Sequence, residues 1–199
     1  MAKTALQGNP VNTVGDLPFV GSDAPAFTLT GTDMADITLD DFPGKKVVLN
    51  IFTSIDTSVC ALSVKRFNAE AAKHSDTRVI NVSRDLPFAH ARFCGAEGID
   101  NVISASVMKD LSFGDDYGVT FAEGPVQGLF GRAVVVIDEN RKVIYSQLAP
   151  EHTEEPDYES ALAALSASGK DMDTCVITAT AEHSRVDDFD DPCDDGRAG

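Results

Sequence analysis

The apolar positions of the chain follow two periods, and each change of period marks an element. Val47-Val48-Leu49-Asn50-Ile51-Phe52 is a nearly continuous apolar run, which predicts a buried strand from Lys46 to Phe52. Directly after it, Cys60, Val64, Phe67 and Ala71 fall at i, i+4, i+7 and i+11, one face of a helix from about Ser58 to Lys73. Thr77-Arg78-Val79-Ile80-Asn81-Val82-Ser83 is a second buried strand. Asp85-Leu86-Pro87 opens a second helix, with Pro87 in its first turn. Phe88, Ala91 and Cys94 share one face of it, and Gly95 and Gly98 predict its end just after Cys94. Val102 to Ser106 is a shorter strand, Asp110 to Tyr117 a loop or short helix, and Gly118 to Gly128 irregular.

Arg132 to Asp138 and Lys142 to Leu148 are two strands around the tight connection Glu139-Asn140-Arg141, so they form an antiparallel hairpin. Pro156 to Leu165 is a helix whose buried stripe is Tyr158, Leu162 and Leu165. At the start of the chain, Gly8-Asn9-Pro10 reads as a turn and Val11 to Val14 as a strand, an N-terminal β-hairpin laid on the main body. Gly21 to Leu29 is extended, and Thr38 to Lys45 is a short helical turn ended by Pro43-Gly44. The order is β-α-β-α-β, then β-β-α. The class is α/β, with a central mixed sheet flanked by helices, which is the thioredoxin-like plan.

Composition narrows the picture. With 199 residues and 43% hydrophobic content the chain can build one core with appendages. The main domain is expected over residues 1–168. From residue 169 to 199 apolar content falls and acids accumulate, which predicts a mobile acidic C-terminal extension. The net charge of −16 argues against nucleic acid and against anionic membrane surfaces. No apolar run approaches the length that spans a bilayer, and the first ten residues lack the apolar centre of a signal peptide, so a cytoplasmic setting is the default. Four cysteines without a Cys-x-x-Cys pair make neither a disulfide scaffold nor a zinc signature. No metal is implied. The scattered histidines His74, His90, His152 and His183 are expected at the surface.

Cys60 is the first candidate for chemistry. Asp56, Thr57 and Ser58 are all good N-cap residues, so Cys60 falls in the first turn of a helix that follows a central strand. Free N–H groups and the helix dipole favour an anion there, and the thiolate is the form that reacts. Position alone leaves a buried structural cysteine equally open.

A longer pattern tips that balance. Leu49-Asn50-Ile51-Phe52-Thr53-Ser54-Ile55-Asp56-Thr57-Ser58-Val59-Cys60 resembles the thiol peroxidases of the peroxiredoxin superfamily, in particular their atypical two-cysteine members. The resemblance continues in Ser83-Arg84-Asp85-Leu86-Pro87-Phe88-Ala89 and in Arg92-Phe93-Cys94-Gly95-Ala96-Glu97-Gly98-Ile99. It runs on through Phe113 to Val119 and Gly131 to Asp138, and covers residues 5–168 in order. It implies that Cys60 is the peroxidatic cysteine, which attacks a hydroperoxide and becomes a sulfenic acid. It implies that Cys94 is the resolving cysteine, forming a disulfide with Cys60 within one chain. Thr57 matches the family threonine whose hydroxyl contacts the peroxide or the thiolate; by itself it reads as an N-cap. Arg132 matches the family arginine beside the thiolate, where a fixed positive charge stabilises the transition state; by itself, an Arg opening a core strand reads as a salt-bridge residue. The resemblance further implies hydrogen peroxide and organic hydroperoxides as substrates, a thioredoxin-like protein as reductant, a homodimer, and no cofactor.

One position departs from the family. A proline usually stands seven residues before the peroxidatic cysteine, and here that residue is Thr53. It trades a stiff ring for a hydroxyl and an N–H. The change bears on rate and peroxide preference more than on reaction type. Phe88, Phe93, Phe113, Phe121 and Phe130 could line an apolar pocket, although most such rings belong to a core. Cys175 and Cys193 lie outside the resemblance and are expected to be incidental to catalysis. Other readings are a peroxide sensor that relays oxidation by disulfide exchange, a disulfide reductase, which the missing Cys-x-x-Cys disfavours, and a binding module with an inert thiol.

Overall fold

A computed structural model describes residues 1–167. The acidic extension, with Cys175 and Cys193, lies outside the described residues.

The central sheet has seven strands in the order β4-β3-β7-β6-β5-β8-β9. Its strands are β3 (Leu29–Gly31), β4 (Asp36–Ile37), β5 (Lys46–Ile51), β6 (Thr77–Ser83), β7 (Ile103–Ser106), β8 (Ala133–Ile137) and β9 (Val143–Leu148). β5, β6 and β7 run parallel, joined by α1 (Ser58–Ala71) and α2 (Pro87–Glu97). β8 pairs antiparallel with β5 and with β9, and β3 pairs antiparallel with β7 and β4. Two further helices, α3 (Phe113–Asp116) and α4 (Tyr158–Ala167), complete the layers. A separate hairpin of β1 (Lys3–Leu6) and β2 (Asn9–Asn12) precedes them. This is the expected thioredoxin-like plan.

β5 lies inside the sheet with both faces covered, which is why its run is apolar apart from Lys46 and the buried Asn50. Val47, Leu49 and Ile51 point to one core with Ile80, Val82, Val135, Phe113 and Phe130. Val48 points to the other, where Val79, Val134 and Val136 meet Phe67 of α1 and Leu165 of α4. A third cluster forms past the end of β5, where Phe52, Ile55, Cys60 and Val64 pack with Ala89 and Phe93 of α2.

Several expectations need correction. The first hairpin turns at Gln7-Gly8, both with positive φ (53° and 77°), so Leu6 closes on Asn9 as in a two-residue primed turn. Pro10, expected in the turn, lies in β2 opposite Ala5; a two-stranded ribbon has only edge strands, and these tolerate a missing N–H. The short strands β3 and β4 carry too few residues to show a period. The inner face of α2 is rotated from the expected one: Phe88 and Ala91 are exposed, while Pro87 and His90 are buried and Cys94 is half-buried. The helix also continues to Glu97 and ends on Gly98 in the left-handed conformation. α4 buries Ala161 and Leu165, with Tyr158 and Leu162 only partly covered. His90 and His152 are buried, against the expectation of surface histidines. Each ring has a buried hydroxyl partner, Ser83 for His90 and Thr53 for His152, which makes burial tolerable.

Gly118 follows α3 with φ +65° and lies against the backbone of Asp16. A methyl group there would overlap the Asp16 carbonyl and also strain the backbone. Gly118→Ala should therefore destabilise the domain by about 2 kcal/mol or more, read as a lowered urea midpoint with unchanged slope.

Candidate active site

β5 ends at Ile51, and the chain crosses a short loop before Thr57 starts α1 as its N-cap residue. Cys60 is thereby held in the first turn of α1, fully buried. The Cys60 carbonyl accepts a bond from Ser63 Oγ at 2.9 Å. Arg132, buried at the entry to β8, reaches across the end of β5 and places Nη2 3.5 Å from Cys60 Sγ. Among the described residues no carboxylate pairs with this guanidinium, and its Nη1 is buried with no hydrogen-bond partner. A buried cation without a carboxylate favours negative charge on the nearest polarisable atom, which is Sγ.

The guanidinium is itself held. Arg132 Nε donates to the His152 carbonyl at 3.2 Å, and the Arg132 backbone N–H donates to His152 Nδ1 at 3.3 Å. Residues 149–152 are fixed from the outside by the N-terminal hairpin. Ala5 N–H donates to the Pro150 carbonyl, and His152 N–H donates to the Ala5 carbonyl. The Glu151 carboxylate accepts from the Gln7 and Gly8 amides of the hairpin turn. The Gly8 amide, then the amide and hydroxyl of Thr153, hold that carboxyl down at about 2.

A second clamp holds the loop before Cys60. The Asp85 carboxylate accepts from Ser54 Oγ at 2.8 Å, from the Ile55 amide at 2.7 Å and from Ser83 Oγ at 2.7 Å. Asp85 stands just before α2, so one carboxylate joins the Cys60 loop to the root of the helix that carries Cys94. An exposed Arg92–Asp56 ion pair at 2.6 Å adds a second link, worth little by itself.

Of the four site residues expected from sequence, the structure brings Cys60 and Arg132 together. Thr57 is the N-cap residue, but its hydroxyl donates to the Ser54 carbonyl at 3.0 Å and makes no capping bond to the helix. Cys94 sits on α2 with its sulfur 3.5 Å from Ser104 Oγ of β7, and both Cys60 and Cys94 are free thiols. A buried polar ladder lies between the two cysteines. Asn50 Nδ2 reaches Ser63 Oγ and Asn81 Oδ1, and Asn81 Nδ2 donates to Ser104 Oγ. Sequence reasoning missed His152, Asp85 and this ladder. The asparagines inside two apolar runs were the available signal.

Comparison with known proteins gives the family. The family model described as Redoxin matches residues 19–162. The chain belongs to the Redoxin family. Within the Redoxins, it is 59% identical to a thiol peroxidase of Mycobacterium bovis over 84% of the chain and 100% of that protein. It is 50% identical to a thiol peroxidase of Corynebacterium glutamicum over 83% of the chain and 99% of that protein. The structure superposes on a peroxiredoxin-like protein from Aquifex aeolicus with a TM-score of 0.79 and 36% identity, covering 84% of this chain and 97% of that one. A thiol-peroxidase type of function, that of an oxidoreductase, goes with this Redoxin membership. Among the described residues no helix is long and apolar enough to cross a membrane.

Two predictions follow from the clamps. Asp85→Ala leaves buried donors without an acceptor and should cost about 2–4 kcal/mol, with faster hydrogen exchange at Ile55; Asp85→Asn, which keeps one acceptor oxygen, should lose less. The second concerns acid. Burial lowers the pKa of His90 below 6.5, with Asp85 and Asp56 opposing. Burial first, then the Arg132 charge, lowers His152 from 6.5 to about 4, with Glu151 opposing. Both rings fold neutral, so the unfolded chain binds more protons below pH 6.5. Stability from these rings is complete above about pH 6.5 and is lost as the pH falls towards 4. Calorimetry across that interval should show a falling Tm, and a flat Tm would contradict the burial of neutral rings.

Proposed function

We propose that this chain reduces hydroperoxides through Cys60. The observation that carries the reading is the pairing of Cys60 Sγ with the buried Arg132 guanidinium at the start of α1. The Cys60 thiolate attacks the terminal oxygen of hydrogen peroxide or an organic hydroperoxide. The O–O bond breaks, and the leaving oxygen takes a proton to depart as water or an alcohol. Sγ is left as a sulfenic acid. Arg132 steadies the negative charge that spreads over sulfur and both oxygens, and its unpartnered Nη1 offers a further donor. Thr57, three residues before Cys60, supplies a hydroxyl once it turns from the Ser54 carbonyl.

Resolution falls to Cys94. Its thiol condenses with the sulfenic acid, water leaves, and a Cys60–Cys94 disulfide forms within one chain. Disulfide geometry needs Cα atoms about 4.4–6.8 Å apart. An intact α2 keeps Cys94 against Ser104, so the first turn of α1 and the region around Cys94 unwind in this step. A thioredoxin-like dithiol protein then restores both thiols by exchange. Such a reductant places the enzyme in a reducing compartment, the cytoplasm. Leu86 and Phe88 of the α2 region are 53% and 64% exposed and supply apolar area for a homodimer. The full burial of Cys60 favours one second reading, a peroxide sensor that turns over slowly. Sustained peroxide consumption with a thioredoxin system in excess separates the two, because a sensor stalls.

The test is disulfide mapping. The reduced protein receives one equivalent of an organic hydroperoxide, is quenched with an alkylating agent, and is read by mass spectrometry. A Cys60–Cys94 bond is expected, and Cys60→Ser should abolish peroxide consumption. An unoxidised Cys60 would sink the reading, and a bond from Cys60 to Cys175 or Cys193 would transfer resolution to the extension. Hydrogen exchange on the oxidised form should show lost protection in α2 and in the first turn of α1; unchanged protection would count against the unwinding.

A further inference from the structure

The residue that departs from the family, Thr53, is directly bonded to the buried histidine that holds Arg132. We propose that Thr53 and His152 are a pair of positioning residues that aim the Arg132 guanidinium at Cys60. The proposal rests on Cys60 being the reacting thiol.

The geometry forms a closed ring. The Arg132 backbone N–H points at His152 Nδ1, 3.3 Å away, so Nδ1 is an acceptor and carries no proton. The neutral ring then carries its proton on Nε2, which faces Thr53 Oγ1 at 2.5 Å. Thr53 Oγ1 accepts that proton and turns its own to the Phe130 carbonyl at 2.9 Å. Phe130 stands two residues before Arg132, which closes the ring. Every donor in it meets one acceptor, and no other assignment of a neutral ring satisfies both histidine nitrogens. All four residues are buried. His152 also meets Phe121 in a T-shaped contact, with ring centroids 5.2 Å apart.

The charged groups facing His152 are Arg132 on the entry to β8 and Glu151 on its own segment. Its neighbours Thr53, Phe121, Phe130 and Ala5 carry no charge. Burial and the Arg132 charge keep the imidazole neutral, and therefore an acceptor towards Arg132, throughout the neutral range. His152 also receives Arg132 Nε on its carbonyl, so one residue fixes both the backbone and the side chain of the arginine. The Nε contact restrains the guanidinium, and the backbone contact fixes the residue that carries it. Thr53 is seven residues from Cys60 on the loop that carries it. The pair thus ties the cysteine loop to the arginine strand at the level of the reacting atoms.

The test uses the full-length chain with Cys94, Cys175 and Cys193 replaced by serine, so that Cys60 is its one thiol, and reads Cys60 in two ways: its rate of alkylation by iodoacetamide at pH 7, and the pH midpoint of its thiolate absorbance at 240 nm. Loss of orientation at a distance of about 1 Å costs on the order of tenfold to a hundredfold. His152→Ala and Thr53→Val should each slow alkylation by about tenfold or more and raise the midpoint. His152→Asn, which keeps an acceptor near the place of Nδ1, and Thr53→Ser, which keeps the hydroxyl, should recover most of the loss. The double variant His152→Ala with Thr53→Val should be little worse than either single one, because both break the same ring. Rates and midpoints unchanged in His152→Ala, or additive losses in the double variant, would overturn the proposal. If His152→Ala does not fold, the contrast between Thr53→Val and Thr53→Ser decides alone. Hydroperoxide is measured separately. A wild-type protein that ignores peroxide, while its variants still shift the Cys60 midpoint, would refute the peroxidase reading and leave this pairing standing.

Discussion

A buried guanidinium 3.5 Å from a buried sulfur, with no carboxylate paired to it among the described residues, is the contact on which the site depends. Removing such a charge from water costs several kcal/mol unless something negative or polar faces it. Here the His152 carbonyl faces Nε and the sulfur faces Nη2. The rest of the local architecture serves to hold that arrangement. β5 and α1 deliver the cysteine to one end of the sheet, and β8, paired with β5 in antiparallel register, delivers the arginine beside it. The N-terminal hairpin, outside the sheet, keeps residues 149–152 in place and so acts on Arg132 from a distance.

The second demand is movement. The cysteines occupy different helices, and the chemistry proposed for them needs both helices to give way. The structure ties these segments together with polar links as well as with the apolar packing of Phe52, Ile55, Cys60 and Val64 on Ala89 and Phe93 of α2. Asp85 bonds the Cys60 loop to the root of α2, and the ladder Ser63, Asn50, Asn81 and Ser104 crosses β5, β6 and β7 towards Cys94. Polar links are directional, and a group released from one is costly only while it stays dry. Segments that must open during turnover are expected among the less stable parts of a fold.

Much of the fold was legible from periodicity, because β5, β6, β8 and both main helices carry long, unambiguous patterns. β3 and β4 escaped because three residues and two residues cannot show a period. The inner face of α2 was misread because His90, a polar residue, occupies the buried position and the apolar Phe88 does not. The site was partly legible. The strand-to-helix junction with its N-cap residues places Cys60 in the first turn of a helix, but a reactive role for Cys60, like that of Arg132, could be assigned only by resemblance. His152 could not be found from sequence at all, since its role arises where the loop after β9 meets the loop after β5. Thr53 stood out as a departure, but its consequence became visible only with its partner.

The most direct test of the account is the second-order rate of Cys60 oxidation by hydroperoxide in Arg132→Gln, compared with wild type at equal folded fraction. Loss of the fixed charge beside the sulfur should slow the step by about two to three orders of magnitude. A rate within about twofold of wild type would mean that Arg132 merely fills space, and that the contact around which the site is built does not drive its chemistry.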